Sequence, residues 1–229
     1  MQQDYQVYSS GSADLARNNV LRNTYRLLGL SMLPTAAGAA IGVNTGFSLL
    51  AGSPVVGSLL MMAVIYGLMF AIERNKYSST GVYLLLGLTF FLGFTLGPIL
   101  QYSLHFRNGA QLIGVAVGGT GLTFLGMSAF GSSTTRDFSG IGKFLGVGAI
   151  VLLVAVLANL FLRLPMFQLV LAGAFMIFSS LMISYQVNQV VKGGETNYIS
   201  ATLSLYISIY NIFVSLLQLL LAFGGSNRD

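Results

Sequence analysis

The 229-residue chain has no cysteine and a single histidine, His105. The first absence excludes disulfides, thiolate metal sites, Fe–S clusters and thiol catalysis. The second excludes a multi-histidine zinc site and a His-pair haem site, so no cofactor is expected. Charge is also scarce: 7% of residues are Asp, Glu, Lys or Arg, against 55% hydrophobic. A soluble domain carries roughly a quarter charged residues because its surface must be hydrated. The composition therefore indicates a polytopic membrane protein, whose main surroundings are the lipid bilayer. In that setting the net charge of +5 reports topology and not nucleic-acid binding. Seven spans of ~20 residues use about 140 residues, which leaves no room for a separate soluble catalytic domain.

Residues 1–23 are polar and contain no apolar h-region, so no cleavable signal peptide is expected. Apolar runs follow at about 27–50, 54–72, 81–100, 110–130, 144–162, 166–185 and 198–222, each long enough to span. The pattern predicts an all-α, seven-transmembrane helix bundle. A polar tail (1–26) precedes the membrane domain (27–222), and a short external tail (223–229) follows. Pro54 and Pro165 fall at helix starts, where a missing N–H does no harm. Pro34 and Pro98 lie inside spans and are expected to kink them. The break at 163–165 also fits a re-entrant hairpin. Arg17, Arg22, Arg26, Arg74, Lys76, Arg136, Lys143 and Lys192 fall on one side, and only Arg107, Arg163 and Arg228 on the other. That asymmetry predicts a cytoplasmic N-terminus and, after an odd number of spans, an external C-terminus.

Within the spans, glycines recur at intervals of four: Gly38/Gly42/Gly46, Gly93/Gly97 and Gly114/Gly118. Such spacing suits close helix packing, with hinges or a backbone-lined conduit as the alternative. In the last span Asn197, Ser204, Ser208, Asn211, Ser215 and Gln218 fall on one helical face. Lipid cannot satisfy their hydrogen bonds, so this face turns inward and the last helix is expected to be central. The stripe reads either as interhelical hydrogen bonding or as one wall of a polar cavity, continued by Ser180, Ser184, Gln186 and Asn188. No ionisable residue lies at mid-membrane depth, where proton relays and ion-selective sites place theirs. Ser128, in Gly126-Met127-Ser128-Ala129, has no span-buried His or Lys to activate it. A non-enzymatic role follows. His105 and the Glu73-Arg74 pair read as interfacial helix ends, and Glu195 as a loop acid. The tail, with Arg17, Arg22 and Arg26, reads as a mobile topogenic segment or as a handle for a cytoplasmic partner.

The block Gly193-Gly194-Glu195-Thr196-Asn197-Tyr198-Ile199, with Ser204-Leu205-Tyr206 and Tyr210-Asn211-Ile212-Phe213-Val214-Ser215-Leu216-Leu217, resembles the signature of the Bax-inhibitor (transmembrane BAX-inhibitor motif) family. More narrowly it is similar to the proteobacterial YccA-type branch. Val20–Tyr25, Tyr66–Phe70, Gly93 with Leu96–Leu100, and Gly118-Gly119-Thr120 extend the similarity over nearly the whole chain. The resemblance implies a seven-helix bundle around the last helix, in a bacterial inner membrane. It implies, first, an inner-membrane protein that binds and restrains a membrane AAA protease of the FtsH type, with its HflK/HflC partners, entered from the cytoplasmic tail. It implies, as the alternative, a pH-influenced leak channel for calcium ions built on two aspartates. The matching positions here are Gln186 and Ser208; neither ionises, which weakens the channel reading.

Overall fold

Two prolines mark where helices begin. In the computed structural model, which describes residues 2–45 and 54–225, Pro54 opens α2 (Pro54–Arg74) and Pro165 opens α7 (Pro165–Lys192). The other helices are α1 (Gln2–Thr45), α3 (Ser79–Thr95), α4 (Gly97–Leu104), α5 (Gly109–Ser133), α6 (Gly142–Leu162) and α8 (Tyr198–Gly224), with a 3-10 turn at Ser139–Ile141 before α6. No strand occurs among the described residues. Among the described residues seven segments are long and apolar enough to cross a membrane, α3 and α4 together forming one of them. This is the all-α, seven-span architecture expected from the hydropathy pattern.

Three local features differ from the sequence reading. The segment expected as a separate polar tail continues the first span: α1 is one helix from Gln2 to Thr45. Its span begins at Leu15, and Thr24, Leu27 and Leu28 are already buried, so packing starts well before residue 27. Pro98 does more than kink the third span, because α3 ends at Thr95 and α4 restarts at Gly97 with the proline in its first turn. Pro34, by contrast, is accommodated inside α1. Around the 163–165 break, α6 and α7 have 21 and 28 residues. Each exceeds the length needed to cross hydrocarbon, so neither is half of a re-entrant hairpin.

The bundle is organised by α8, which packs against α1, α2, α3, α5 and α7. Tyr206, Ile212 and Leu217 are fully buried at its centre. The core joins α8 residues Leu203 and Leu205 to Leu27 and Leu28 of α1, Leu85, Leu88 and Leu92 of α3, and Ile183 and Val187 of α7.

Glycine sets the tightest crossing, between α1 and α3–α4. A Cβ on Gly38 would fall on the Phe90 carbonyl, and one on Gly42 on the Phe94 carbonyl. Reciprocally, a Cβ on Gly93 would strike the Thr35 backbone, and one on Gly97 the backbone of Gly42. Backbones this close gain dispersion contacts that larger side chains would forbid. Gly114 and Gly118 differ: nothing lies within 4 Å of where their Cβ would be, so that pair does not mark a close crossing. Gly46 lies outside the described residues, as does Arg228.

The turns at one end, residues 74–79, 133–142 and 192–198, lie together with the start of the first span. Asn197 reaches Lys76, Lys192 reaches Thr135, and Arg17 lies over Gly193. The turns at 104–109 and 162–165 and the end of α8 lie at the other, where Asn108 Nδ2 donates to the Gly224 carbonyl at 2.6 Å.

Candidate functional site

The inward-facing stripe of α8 divides among three tasks. Asn197 is the N-cap: its Oδ1 accepts from the N–H groups of Ile199 (2.9 Å) and Ser200 (3.2 Å), two donors that the helix cannot satisfy itself. Its Nδ2 donates to the Lys76 carbonyl at 2.8 Å, and its own N–H donates to Glu195 Oε1 at 2.7 Å. Three residues on, Ser200 Oγ donates to Glu73 Oε2 (3.1 Å), which also pairs with Lys76 Nζ (3.1 Å). The hydrogen bond to Glu73, reinforced by its charge, holds the Lys76 ammonium above its usual range. Glu73 and Glu195, which read as a solvated helix end and a loop acid, therefore lock the α2–α3 turn to the start of α8.

Ser204, Ser208 and Asn211 line a cavity of about 800 Å³ between α2, α6, α7 and α8. Glu73 stands at one end of it, and Met62, Ile65, Met69, Phe175 and Phe178 contribute the facing surface. The stripe thus forms one polar wall opposite an apolar one. Ser208 Oγ donates to the Ser204 carbonyl of its own helix at 2.9 Å, so its hydroxyl is satisfied locally. Gln186 is buried on α7 but does not line this cavity, and no hydrogen bond joins it to Ser208 among the described residues. Ser215 is buried outside the cavity, while Gln218 lines a second one of about 710 Å³ with Pro98, Asn159, Arg163 and Gln168. A wall of methionine and phenylalanine does not replace an ion's hydration shell, which requires oxygen ligands.

The polar residues of α7 hold helices together. Ser180 Oγ returns to the Met176 carbonyl, and Ser184 Oγ donates to Met127 of α5 at 2.8 Å. Asn188 is fully buried; its Nδ2 donates to the carbonyls of Gly131 and Arg136, and its Oδ1 accepts from Phe138 N–H. One amide therefore shapes the whole α5–α6 connection. Tyr206 and Tyr210, which the sequence shows only as members of the family block, make the remaining ties of α8. Tyr206 Oη meets Thr35 Oγ1 at 2.7 Å and the Thr89 carbonyl at 3.3 Å, and Tyr210 Oη meets Thr95 Oγ1 at 3.0 Å. Their four-residue spacing, with threonines on two other spans, was the available signal.

The arginines of the amino-terminal segment do not act together. Arg17 lies across the end of α7, where a Cβ on Gly193 would stand 3.1 Å from its Nε; a cation there complements the helix's terminal carbonyls. Arg22 Nη2 donates to Asn19 at 2.9 Å, and both Arg22 and Arg26 are exposed. The glycine-rich turn before α8 and the base of α1 thus meet at one end of the bundle.

A family model described as "Inhibitor of apoptosis-promoting Bax1" matches residues 17–226. The chain belongs to this Bax-inhibitor family. Among its relatives, a protein of Neisseria meningitidis is 48% identical over 229 residues, covering 99% of this chain and 100% of its own length. One from Pseudomonas aeruginosa is 39% identical over 226 residues, 99% of each chain. The Escherichia coli protein named modulator of FtsH protease YccA is 42% identical over 215 residues, 94% of each chain. A protein of a second Escherichia coli strain, also 42% identical over 215 residues, is named inner membrane protein YccA. This Bax-inhibitor family member is accordingly a multi-pass membrane protein of the YccA type.

Proposed function

We propose that this protein restrains an FtsH-type AAA protease in the bacterial inner membrane, by binding and slow processing and not by chemistry. Its N-terminus faces the cytoplasm and its C-terminus the opposite side, in keeping with the excess of Lys and Arg at the α1-start end. The protease, with its HflK/HflC partners, engages the amino-terminal segment that carries Arg17, Arg22 and Arg26. What supports the reading, beside the kinship to a named FtsH modulator, is the continuity of α1. The segment to be gripped and the first span are one helix, Gln2–Thr45. A pull on its start is therefore transmitted along the axis to the crossing where Gly38 and Gly42 lie against the α3 backbone. Extraction has to break that crossing and the Thr35–Tyr206 bond at once. The protease is held on a substrate that yields slowly.

The test is degradation of a membrane substrate by the purified protease in liposomes, with and without this protein. Slowed degradation near equimolar ratio is the expected result. Deleting residues 2–15 is expected to leave the bundle inserted and to relieve the inhibition. No slowing by the folded full-length protein would overturn the proposal, and full inhibition by the truncated one would overturn the role of the tail.

A further inference from the structure

Between α6 and α7 the chain turns through Arg163 with φ 52°, a left-handed conformation that residues other than glycine adopt at a cost. Asn159 holds the turn. Its carbonyl accepts from Arg163 N–H at 2.8 Å, and its Oδ1 accepts from Leu164 N–H at 3.2 Å. Arg163 is thereby set on the rim of the 710 Å³ cavity, beside Asn159 and Gln168. Among the described residues its guanidinium has neither a hydrogen bond nor an ion pair. Within the described structure, five donors and a full charge stand uncommitted at the junction of two membrane helices.

The rest of this cavity is largely apolar. Met62, Ile65, Val156 and Phe175 line it and also line the cavity beneath Ser208, so the two form one cleft along the bundle. Among the described residues α2 packs mainly on α3 and α8, and α6 on α7, with the cleft running between α2 and α6. Tyr66 and Phe70, both exposed, stand on its edge, so the cleft opens sideways toward lipid.

We propose that the cleft holds one phospholipid from the leaflet at the Arg163 end. Its phosphate sits on the Arg163 guanidinium, and one acyl chain runs along Met62, Ile65, Val156 and Phe175 toward Ser208. Guanidinium and phosphate match in charge and in fork geometry. Asn159 and Gln168 supply polar atoms at the depth of the glycerol esters. A transmembrane helix in the same place needs its own acid at that depth to meet Arg163, whereas every phospholipid brings the anion with it.

The experiment titrates delipidated protein in detergent with phosphatidylglycerol and counts bound lipid by native mass spectrometry. One molecule is expected to bind at least about tenfold more tightly than diacylglycerol with the same chains, which lacks the phosphate. Arg163→Gly removes the charge while glycine accepts the φ of 52°. It is expected to keep or raise the thermal midpoint and to weaken binding by about tenfold or more. Val156→Trp, which fills the slot and leaves the charge, is expected to weaken binding similarly. Arg107→Gln, at the same end but outside the cleft, is expected to bind as the unchanged protein does. Wild-type binding by Arg163→Gly would overturn the proposal. So would equal loss on Arg107→Gln, or wild-type binding by a folded Val156→Trp.

Discussion

Gly38→Ala puts the α1–α3 crossing to a direct test. The new methyl falls on the Phe90 carbonyl and close to the Phe94 N–H. Both are backbone atoms of α3 and cannot rotate aside as a side chain tip could. The two helices must therefore move apart, which also loosens Gly42 against Gly97 and the Thr35–Tyr206 bond. Overpacking of this kind costs about 1–3 kcal/mol, and a loss near 2 kcal/mol raises the population with α1 detached by about 30-fold. If detachment and return are fast relative to cleavage, degradation tracks that population. The half-life of this protein under an FtsH-type protease in liposomes is then expected to fall by an order of magnitude, and its inhibition of a second substrate to weaken. Gly114→Ala supplies the control, because it makes the same chemical change where nothing lies within 4 Å. It is expected to alter stability by no more than about 0.5 kcal/mol. An unchanged half-life for Gly38→Ala, or equal shortening by both variants, would refute the reasoning.

Three further outcomes follow from individual side chains. Asn197→Ala removes the cap of α8 and the bond to the Lys76 carbonyl; a loss of about 1–2 kcal/mol is expected, with Asn197→Asp recovering part of it, as read from thermal unfolding in detergent. Tyr206→Phe deletes the hydroxyl that meets Thr35 and Thr89. It is expected to cost about 0.6–1.7 kcal/mol, and no change in the unfolding midpoint would show that this tie adds nothing to the α1–α8 contact. The Asp137 carboxylate accepts from Ser139 Oγ (2.6 Å) and Ser139 N–H (2.8 Å), which holds its pKa below 3.8. A depressed carboxyl pKa stabilises the fold above the unfolded value, and that contribution fades as pH falls through the folded one. A carboxyl NMR titration of Asp137 is expected to have its midpoint below 3.8; one at or above it would refute the Ser139 contacts.

The polar stripe shows how far a pattern can be read without coordinates. Spacing alone turned Asn197, Ser204, Ser208, Asn211, Ser215 and Gln218 inward, and α8 is indeed central. Spacing could not divide them. Asn197 is a helix cap, Ser204, Ser208 and Asn211 line a cavity, and Gln218 belongs to another. Gln186 reads both as a continuation of that wall and as a family position, yet it does not line the cavity, although its neighbour Tyr185 does. The tail arginines were grouped by sequence proximity alone. The structure lays Arg17 on the end of α7 and leaves Arg22 and Arg26 exposed.

The number of spans, the helical class and the inward turn of α8 were decided by the sequence by itself. Each is a property of one segment against its solvent: an apolar run long enough for the hydrocarbon core, or a polar face that lipid cannot satisfy. Which helices touch is a property of two segments and their relative rotation. Glycines spaced by four occur in α1, α3–α4 and α5, yet only the first two meet backbone to backbone, while Gly114 and Gly118 face open space. The cleft between α2 and α6 likewise belongs to no segment. Among the described residues each of the two packs mainly on other helices, and it took the packed bundle to place Arg163 at the mouth of the cleft.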